Sequence, residues 1–196
     1  MRVNCLRPQY KLWQMVVLLA LSLVISMIVA ACESREQPPG EAKMMLDLSS
    51  LAFREGSKIP AKYSCQGEDV SPALHWGEPP QGTRSFALIM DDPDAPGGVF
   101  THWVLLNVPL DTRDLPEAVP AQAQLPDRSL QGKNDFGRTG YGGPCPPPGS
   151  AHRYRFTLYA LDRMLDLKTG VTKKQLLDAM RGHILVQGQL TGTYQR

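Results

Sequence analysis

Between Arg153 and Leu161 the side chains alternate without a break. Tyr154, Phe156, Leu158 and Ala160 fall to one side, and Arg153, Arg155, Thr157 and Tyr159 to the other. A helix would scatter those four apolar residues around its axis, whereas an extended chain lines them up on one face. The segment therefore demands a sheet with one side buried. Two apolar runs, Ser85–Met90 and His102–Val108, predict further strands, the second stopped by Pro109. The stretch Ile184–Tyr194 predicts another, with Gly188 and Gly192 suggesting a bulge or bend. Only one segment predicts a helix. Thr172 and Gln175 have capping-box spacing, Leu176, Leu177 and Met180 supply an apolar face, and Gly182 is placed to end it. Pro- and Gly-rich connections at 77–82, 92–98, 109–126 and 137–149 join these elements, and no internal repeat is visible. The expected architecture is mainly β, an antiparallel sandwich with one or two short helices.

The amino terminus is of another kind. Arg2, Arg7 and Lys11 precede an apolar run from Leu12 to Ala31, interrupted only by Gln14, Ser22 and Ser26, with no acidic residue before Glu33. A basic head, an apolar middle and a small-residue end are the layout of a secretory signal. Val29-Ala30-Ala31-Cys32 resembles a lipobox, which implies a signal peptide at 1–31 and lipid attachment at Cys32. A plain transmembrane anchor is the alternative, since about 17–25 apolar residues span a bilayer. Residues 32–43 are polar with Pro and Gly and read as a tether, leaving 44–196 as a single domain. The location expected is extracytoplasmic, lipid-anchored to the cell membrane or outer membrane.

Removing 1–31 takes away three basic residues and no acidic ones, so the formal charge moves from +2 (21 minus 19) to −1 (18 minus 19). The basic balance belongs to the signal, and nothing compositional favours nucleic acid as a partner. Of the four cysteines, Cys5 leaves with the signal and Cys32 is the lipid site, which leaves Cys65 and Cys145. In an oxidising compartment these are expected to form a disulfide, two free buried thiols being the alternative.

Three polar clusters interrupt the scaffold: Asp91-Asp92-Pro93-Asp94-Ala95-Pro96-Gly97-Gly98, then Thr101-His102-Trp103, then Gly140–Gly149 leading into His152-Arg153-Tyr154. In the first, two prolines stiffen the loop that carries the carboxylates. Asp92-Pro93-Asp94-Ala95-Pro96, the downstream His-Trp, Gly143-Pro144-Cys145-Pro146-Pro147 and His152-Arg153-Tyr154 resemble the phosphatidylethanolamine-binding protein family. The resemblance is greatest to its bacterial Raf-kinase-inhibitor-like branch. Ser71-Pro72-Ala73-Leu74-His75-Trp76 and Gly182-His183-Ile184-Leu185 add to it, so it spans about 51–194.

The resemblance implies a β-sandwich with a small pocket for phosphate, a phosphorylated head group or a carboxylate. By position, Asp92, His102, His152 and Tyr154 would line it, walled by Pro96, Trp103 and the 142–147 loop with Gly143 and Pro144. Two imidazoles and a phenol can donate to anionic oxygens, and a carboxylate can fix an imidazole tautomer. Asp94 is expected to brace its own loop, and His75 and His183 to be structural. The expected function is therefore a membrane-tethered, non-catalytic binding protein. Its partner is a small anionic ligand, or the anionic group of a partner protein, and no cofactor is implied. A protein–protein module using the 109–150 region, such as a protease inhibitor or an envelope partner-binding protein, is the alternative. A metal-dependent hydrolase built on the four histidines and Asp92 is a weaker one. No His-Glu-x-x-His spacing is present, so no metal is expected, and without a Gly-x-Ser-x-Gly elbow a Ser-His-Asp hydrolase is weaker still.

Overall fold

A computed structural model describes residues 45–196; the expected signal peptide, Cys32 and the 32–43 tether lie outside the described residues. Among the described residues no helix is long and apolar enough to cross a membrane. The strands in chain order are β1 (Leu48–Ser49), β2 (Leu74–Trp76), β3 (Ser85–Asp92), β4 (Phe100–Pro109), β5 (Asp114–Leu115), β6 (Leu130–Gln131), β7 (His152–Leu161) and β8 (Ile184–Tyr194). They make two antiparallel sheets: a large one ordered β6-β4-β3-β7-β8 and a small one ordered β1-β2-β5. The mainly β, antiparallel expectation holds. The long patterned segments all became the large sheet, and the small sheet is made of strands too short to leave a periodic signal.

The central strand β3 explains its own composition. Phe86, Leu88 and Met90 point between the sheets, where they meet Trp103 and Leu105 of β4, Phe156 and Leu158 of β7, and Leu74 and Trp76 of β2. Ala87 and Ile89 point to the other face, covered by Val104, Leu106, Leu165, Val171, Leu176 and Met180. With both faces covered, the strand has no polar side to show, hence an apolar run instead of alternation. Burying each of the large side chains contributes roughly 1.5–3 kcal/mol. The outer cover includes the helix α1 (Lys173–Met180), which opens with the expected capping box between Thr172 and Gln175. Leu176 and Met180 are buried, but Leu177 is 38% exposed and does not join the apolar face. Gly182 follows the helix with a φ of 79°, the left-handed turn that suits glycine after a helix end.

Gly188 and Gly192 mark close approach, not a bulge. A Cβ on Gly188 would overlap the carbonyl oxygen of Leu46, and one on Gly192 would overlap the Ile59 side chain. The register shift on this edge lies elsewhere, between Ala160 and Leu161 of β7. Two shifts on β4 matter more. Phe86 faces Val108 while Leu88 faces Leu105, and Met90 faces Trp103 while Asp91 faces Thr101. Each leaves one extra residue on β4, and at the second shift that residue is His102.

Candidate binding pocket

The inner face of the large sheet does not end flush. At the ends of β3, β4 and β7 the apolar filling gives way to polar side chains, and a cavity of about 160 Å³ opens there. It is lined by Asp92, Ala95, Pro96, Phe100, His102, Phe136, Cys145, Pro146, Pro147 and His152. That volume lies below the ~300–1,000 Å³ common for drug-sized ligands, so it holds a small group and not a pair of acyl chains.

Pleat and bulge together aim the side chains. Asp92 follows Met90 by two residues on β3, and His152 precedes Tyr154 and Phe156 by the same step on β7, so all face inward. His102 would share the outer face of Val104 and Leu106 if β4 were regular. As the extra residue of the bulge it turns inward instead, with its ring centroid 5.1 Å from that of Tyr154.

Each polar group is then fixed by partners. Asp92 is only 3% exposed. Its Oδ1 accepts from the backbone N–H of Asp94 at 2.8 Å, and its Oδ2 lies 2.8 Å from His152 Nδ1. His102 Nδ1 lies 2.7 Å from the Gly142 carbonyl oxygen, and the Gly142 N–H bonds back to the His102 carbonyl at 3.0 Å. A carbonyl can only accept, so His102 Nδ1 carries the proton. Asp92 already accepts one N–H on its other oxygen, so His152 Nδ1 likewise donates. Burial pushes the His102 imidazole below its ordinary value, and the Gly142 bond and the Asp92 charge partly offset that.

Tyr154 is fully buried, and its hydroxyl approaches the Asp92 carboxylate and the Cys145 backbone without making a well-formed hydrogen bond among the described residues. Burial first, then the nearby Asp92 charge, pushes its phenol well above the ordinary value, so it remains a protonated donor. An unpaired buried hydroxyl is uncommon in a folded protein. It sits beneath the cavity floor, beside Asp92 and the Cys145 backbone.

The walls come from loops held by their own bonds. Asp94 accepts from the Arg153 backbone N–H, Nε and Nη2 at 2.9, 2.9 and 2.6 Å, which ties the proline loop to β7. The Arg153 guanidinium holds the Asp94 carboxyl well below the usual range. Asp94 thus braces the loop, as expected. Across the mouth, Phe136 packs edge-on against Phe100 and His102 with centroids 4.7 and 5.3 Å apart, and Arg138 covers Phe136 at 5.2 Å. The third wall, Cys145-Pro146-Pro147, is pinned by the Cys65–Cys145 disulfide, with Cα atoms 5.4 Å apart.

The expected set is therefore mostly brought together, with differences. Asp92, His102, His152 and Pro96 line the cavity, and Tyr154 lies under it. Trp103 does not wall it. It is one step deeper along β4, fully buried against Tyr141, with its indole N–H donating to Gln131 Oε1 at 2.8 Å. Gly143 and Pro144 stand behind the wall: the Gly143 N–H donates to Asp69 Oδ1 at 2.7 Å, and the Pro144 carbonyl accepts from Cys65. A Cβ at Gly143 would overlap the Tyr63 carbonyl oxygen, so glycine is needed for packing there. His183 pairs with Asp162 at 3.0 Å, and His75 lies in β2 of the small sheet, both outside the cavity. Sequence reasoning missed Phe100 and Phe136. Phe100 is one pleat step from His102, and Phe136 is a lone aromatic before Gly137 in a tight turn; neither carries a motif. Among the described residues no group of three or more His, Cys, Asp or Glu side chains is placed to hold a metal ion.

The sequence model named "Phosphatidylethanolamine-binding protein" matches residues 49–195, the whole sandwich and every wall of the cavity. The chain belongs to the phosphatidylethanolamine-binding protein (PEBP) family. A UPF0098 protein of Methanothermobacter thermautotrophicus is 51% identical over 151 residues, covering 77% of this chain and 99% of its own length. Among solved structures, a PEBP homologue from Chlamydia trachomatis has a TM-score of 0.71 at 42% identity, covering 78% of this chain and 98% of that one. YbcL of E. coli, described as a member of the mammalian PEBP family, has a TM-score of 0.73 at 29% identity, covering 78% and 99%. The PEBP sandwich is thus shared across these chains.

Proposed function

We propose that this PEBP-family chain is a lipid-anchored, extracytoplasmic binding protein of the bacterial Raf-kinase-inhibitor-like branch, and that its cavity captures a small oxyanion without chemically altering it. The observation that carries the reading is the convergence of two imidazoles with fixed tautomers on a headgroup-sized cavity above an unpaired tyrosine hydroxyl. Buried polar groups are normally satisfied, so a donor left open under a cavity points to a ligand that completes it. Among the described residues the cavity's sulfur is tied up in the disulfide and its carboxylate already serves as acceptor, which supports binding without chemistry.

Isothermal titration of inorganic phosphate and phosphoethanolamine into the mature domain tests the pocket. The wild type binds and His152→Ala loses binding; equal affinity in both removes the pocket as the explanation. The anchor rests on Val29-Ala30-Ala31-Cys32 alone. Expression of the full chain with a labelled fatty acid checks it, since Cys32→Ala must abolish incorporation.

A second reading, partner binding, draws support from a groove of about 290 Å³ lined by Thr112, Asp114, Leu115, Pro116, Val119, Pro120, Leu125, Pro126 and Asp127. It falls within the 109–150 region. Co-purification from envelope extract by the wild type, compared with a variant altered in 116–126, separates the two readings.

A further inference from the structure

The large sheet has two ends, and the cavity occupies one of them. At the other lie the start of β3, the ends of β4 and β7 and the start of β8, since Ser85 faces Pro109 and Leu161, and Leu161 faces Ile184. Its side chains are unlike those of an ordinary solvated rim. β8 opens with two exposed apolar residues in a row, Ile184 at 42% and Leu185 at 43%. The register shift causes this: Ala160 faces Val186 while Leu161 faces Ile184, so Leu185 is an extra residue and the pleat no longer hides one of the pair. Met164 is exposed in the chain that leaves β7, next to Arg163, whose carbonyl accepts from Ser85 Oγ at the first residue of β3. Leu110, also exposed, follows the last residue of β4. Scattered single apolar residues are ordinary on a protein surface, whereas four at one end of one sheet form a patch.

The charged side chains of the turns at this end cancel. Arg84, Arg113 and Arg163 stand against Glu78, Asp111 and Asp162, with Glu78 bonded to Arg113 and Asp162 to His183. A partner that fits such a surface is apolar and carries no large net charge, as the interfacial layer of a zwitterionic bilayer is. The point where the chain enters the domain favours the same end. The Leu46 N–H donates to the Gln187 carbonyl at 3.3 Å, and a Cβ on Gly188 would overlap the Leu46 carbonyl oxygen, so Leu46 lies against β8. Gln187 is three residues from Ile184 and seven from Tyr194, so about 10 Å from the apolar end and about 23 Å from the cavity end. Cys32, the lipid site under the anchor reading, stands thirteen residues before Met45 in the sequence (45 minus 32). A covalent lipid raises the effective concentration of a weak surface at the bilayer, so a small patch suffices to settle there.

Resting on the lipid-anchor reading above, we propose that the end of the sheet carrying Leu110, Met164, Ile184 and Leu185 is a membrane-docking face. These side chains enter the interfacial layer of the bilayer. The cavity is carried at the far end of β3, seven residues or about 23 Å from Ser85, and opens to the solvent. A lipid anchor alone leaves every orientation of the domain allowed, and the patch selects one.

The test uses the full chain, processed and lipidated in a bacterial host, on phosphatidylcholine vesicles with brominated acyl chains. Leu185→Trp places a reporter in the patch, and Gln124→Trp places one at the opposite edge of the sheet, beside β6. With the wild-type signal of the buried Trp76 and Trp103 subtracted, Leu185→Trp is expected to be quenched at least about threefold more strongly than Gln124→Trp, because only a side chain at the acyl boundary meets bromine. Adding Met164→Asp and Ile184→Asp to Leu185→Trp is expected to lower quenching to the control level while the chain still floats with the vesicles. Should that variant fail to fold, the comparison of the two reporters still decides. Quenching that survives about 1 M salt, where the screening length is ~3 Å, supports docking through apolar contact, and its loss there overturns it. A chain that floats with both reporters quenched equally overturns the docking face and leaves the anchor standing. A chain that does not float overturns the anchor and this inference with it. A Leu185→Trp emission that shifts with protein concentration but not with bromine overturns the inference in favour of a second copy of this chain.

Discussion

Removing the Tyr154 hydroxyl should move stability and binding in opposite directions. The hydroxyl is buried near Asp92 without a well-formed bond, in a strand where Phe156 and Leu158 already pack as hydrocarbons on the same face. A buried hydroxyl without a bond costs about 1–3 kcal/mol of desolvation that nothing returns. Tyr154→Phe keeps the ring, and with it the edge contact to His102 at 5.1 Å. It should therefore stabilise the free protein by a fraction of that cost. For a domain of this size each kcal/mol is about 2–4 °C in Tm, so an increase of a few degrees is expected by differential scanning calorimetry. Binding should respond the other way. A hydrogen bond to a charged oxygen contributes about 1.5–3 kcal/mol, so phosphate affinity should drop about 10- to 150-fold. A variant that loses both Tm and affinity would refute the reasoning, because it would mean the hydroxyl is anchored inside the fold. One that gains Tm and keeps its affinity would show that the ligand never reaches it.

Three further outcomes follow from the same geometry. Reducing the Cys65–Cys145 bridge, whose ends are 80 residues apart, should lower stability by about 4 kcal/mol in the chain-entropy account, read as a fall in Tm with a dithiol present; an unchanged Tm would contradict it. Burial holds His102 below about 6.5, so the folded chain binds fewer protons there than the unfolded one. That group is neutral to stability above about 6.5 and destabilising as pH falls through 6.5 towards its folded value. The stability difference between wild type and His102→Gln should therefore shrink over that interval in urea titrations, with the Asp92 and Asp91 charges limiting its size. Gly188→Ala should cost about 1–3 kcal/mol by pushing the Leu46 backbone off β8, seen as a lower urea midpoint with an unchanged slope.

What the sequence disclosed depended on the length of the element. β3, β4, β7 and β8 are 8–11 residues long, enough for alternation or a double-sided apolar run to show. The small sheet has strands of two or three residues, whose pairing is set by tertiary contact and leaves no period to read. The pocket was legible where chemistry and motif coincided, at Asp92, His102 and His152. Trp103 was misplaced because adjacency in sequence says nothing about depth along a strand. The bulge turned His102 inward, while Trp103, one residue on, fell under the Tyr141 ring and the Gln131 amide. Gly188 and Gly192 were read as a bend because a sequence cannot tell a glycine that bends its strand from one that admits a neighbour. The apolar mouth went unseen because Phe136 reaches it from a turn closed by the Asn134 and Arg138 backbones, more than thirty residues from Phe100.

The pair Asp91-Asp92 shows how the sheet itself creates the pocket chemistry. Two adjacent carboxylates in a flexible loop would share one environment and repel each other in it. At the end of β3 the pleat sends them to opposite faces. Asp91 meets Lys173, in the first turn of α1, at 2.7 Å on the outer face. Asp92 is left on the inner face, where it pairs with His152 at 2.8 Å. A lysine or arginine on that side would have competed for Asp92 and released His152 Nδ1, turning the ring so that either nitrogen could donate. With Lys173 engaged by Asp91 on the outer face, Asp92 keeps His152 as its side-chain partner on the inner face. The bulge on β4 does the equivalent for His102 by bringing its Nδ1 to the Gly142 carbonyl. The orientation of both imidazoles at the cavity is therefore set by pleat, bulge and one outward ion pair, all belonging to the scaffold.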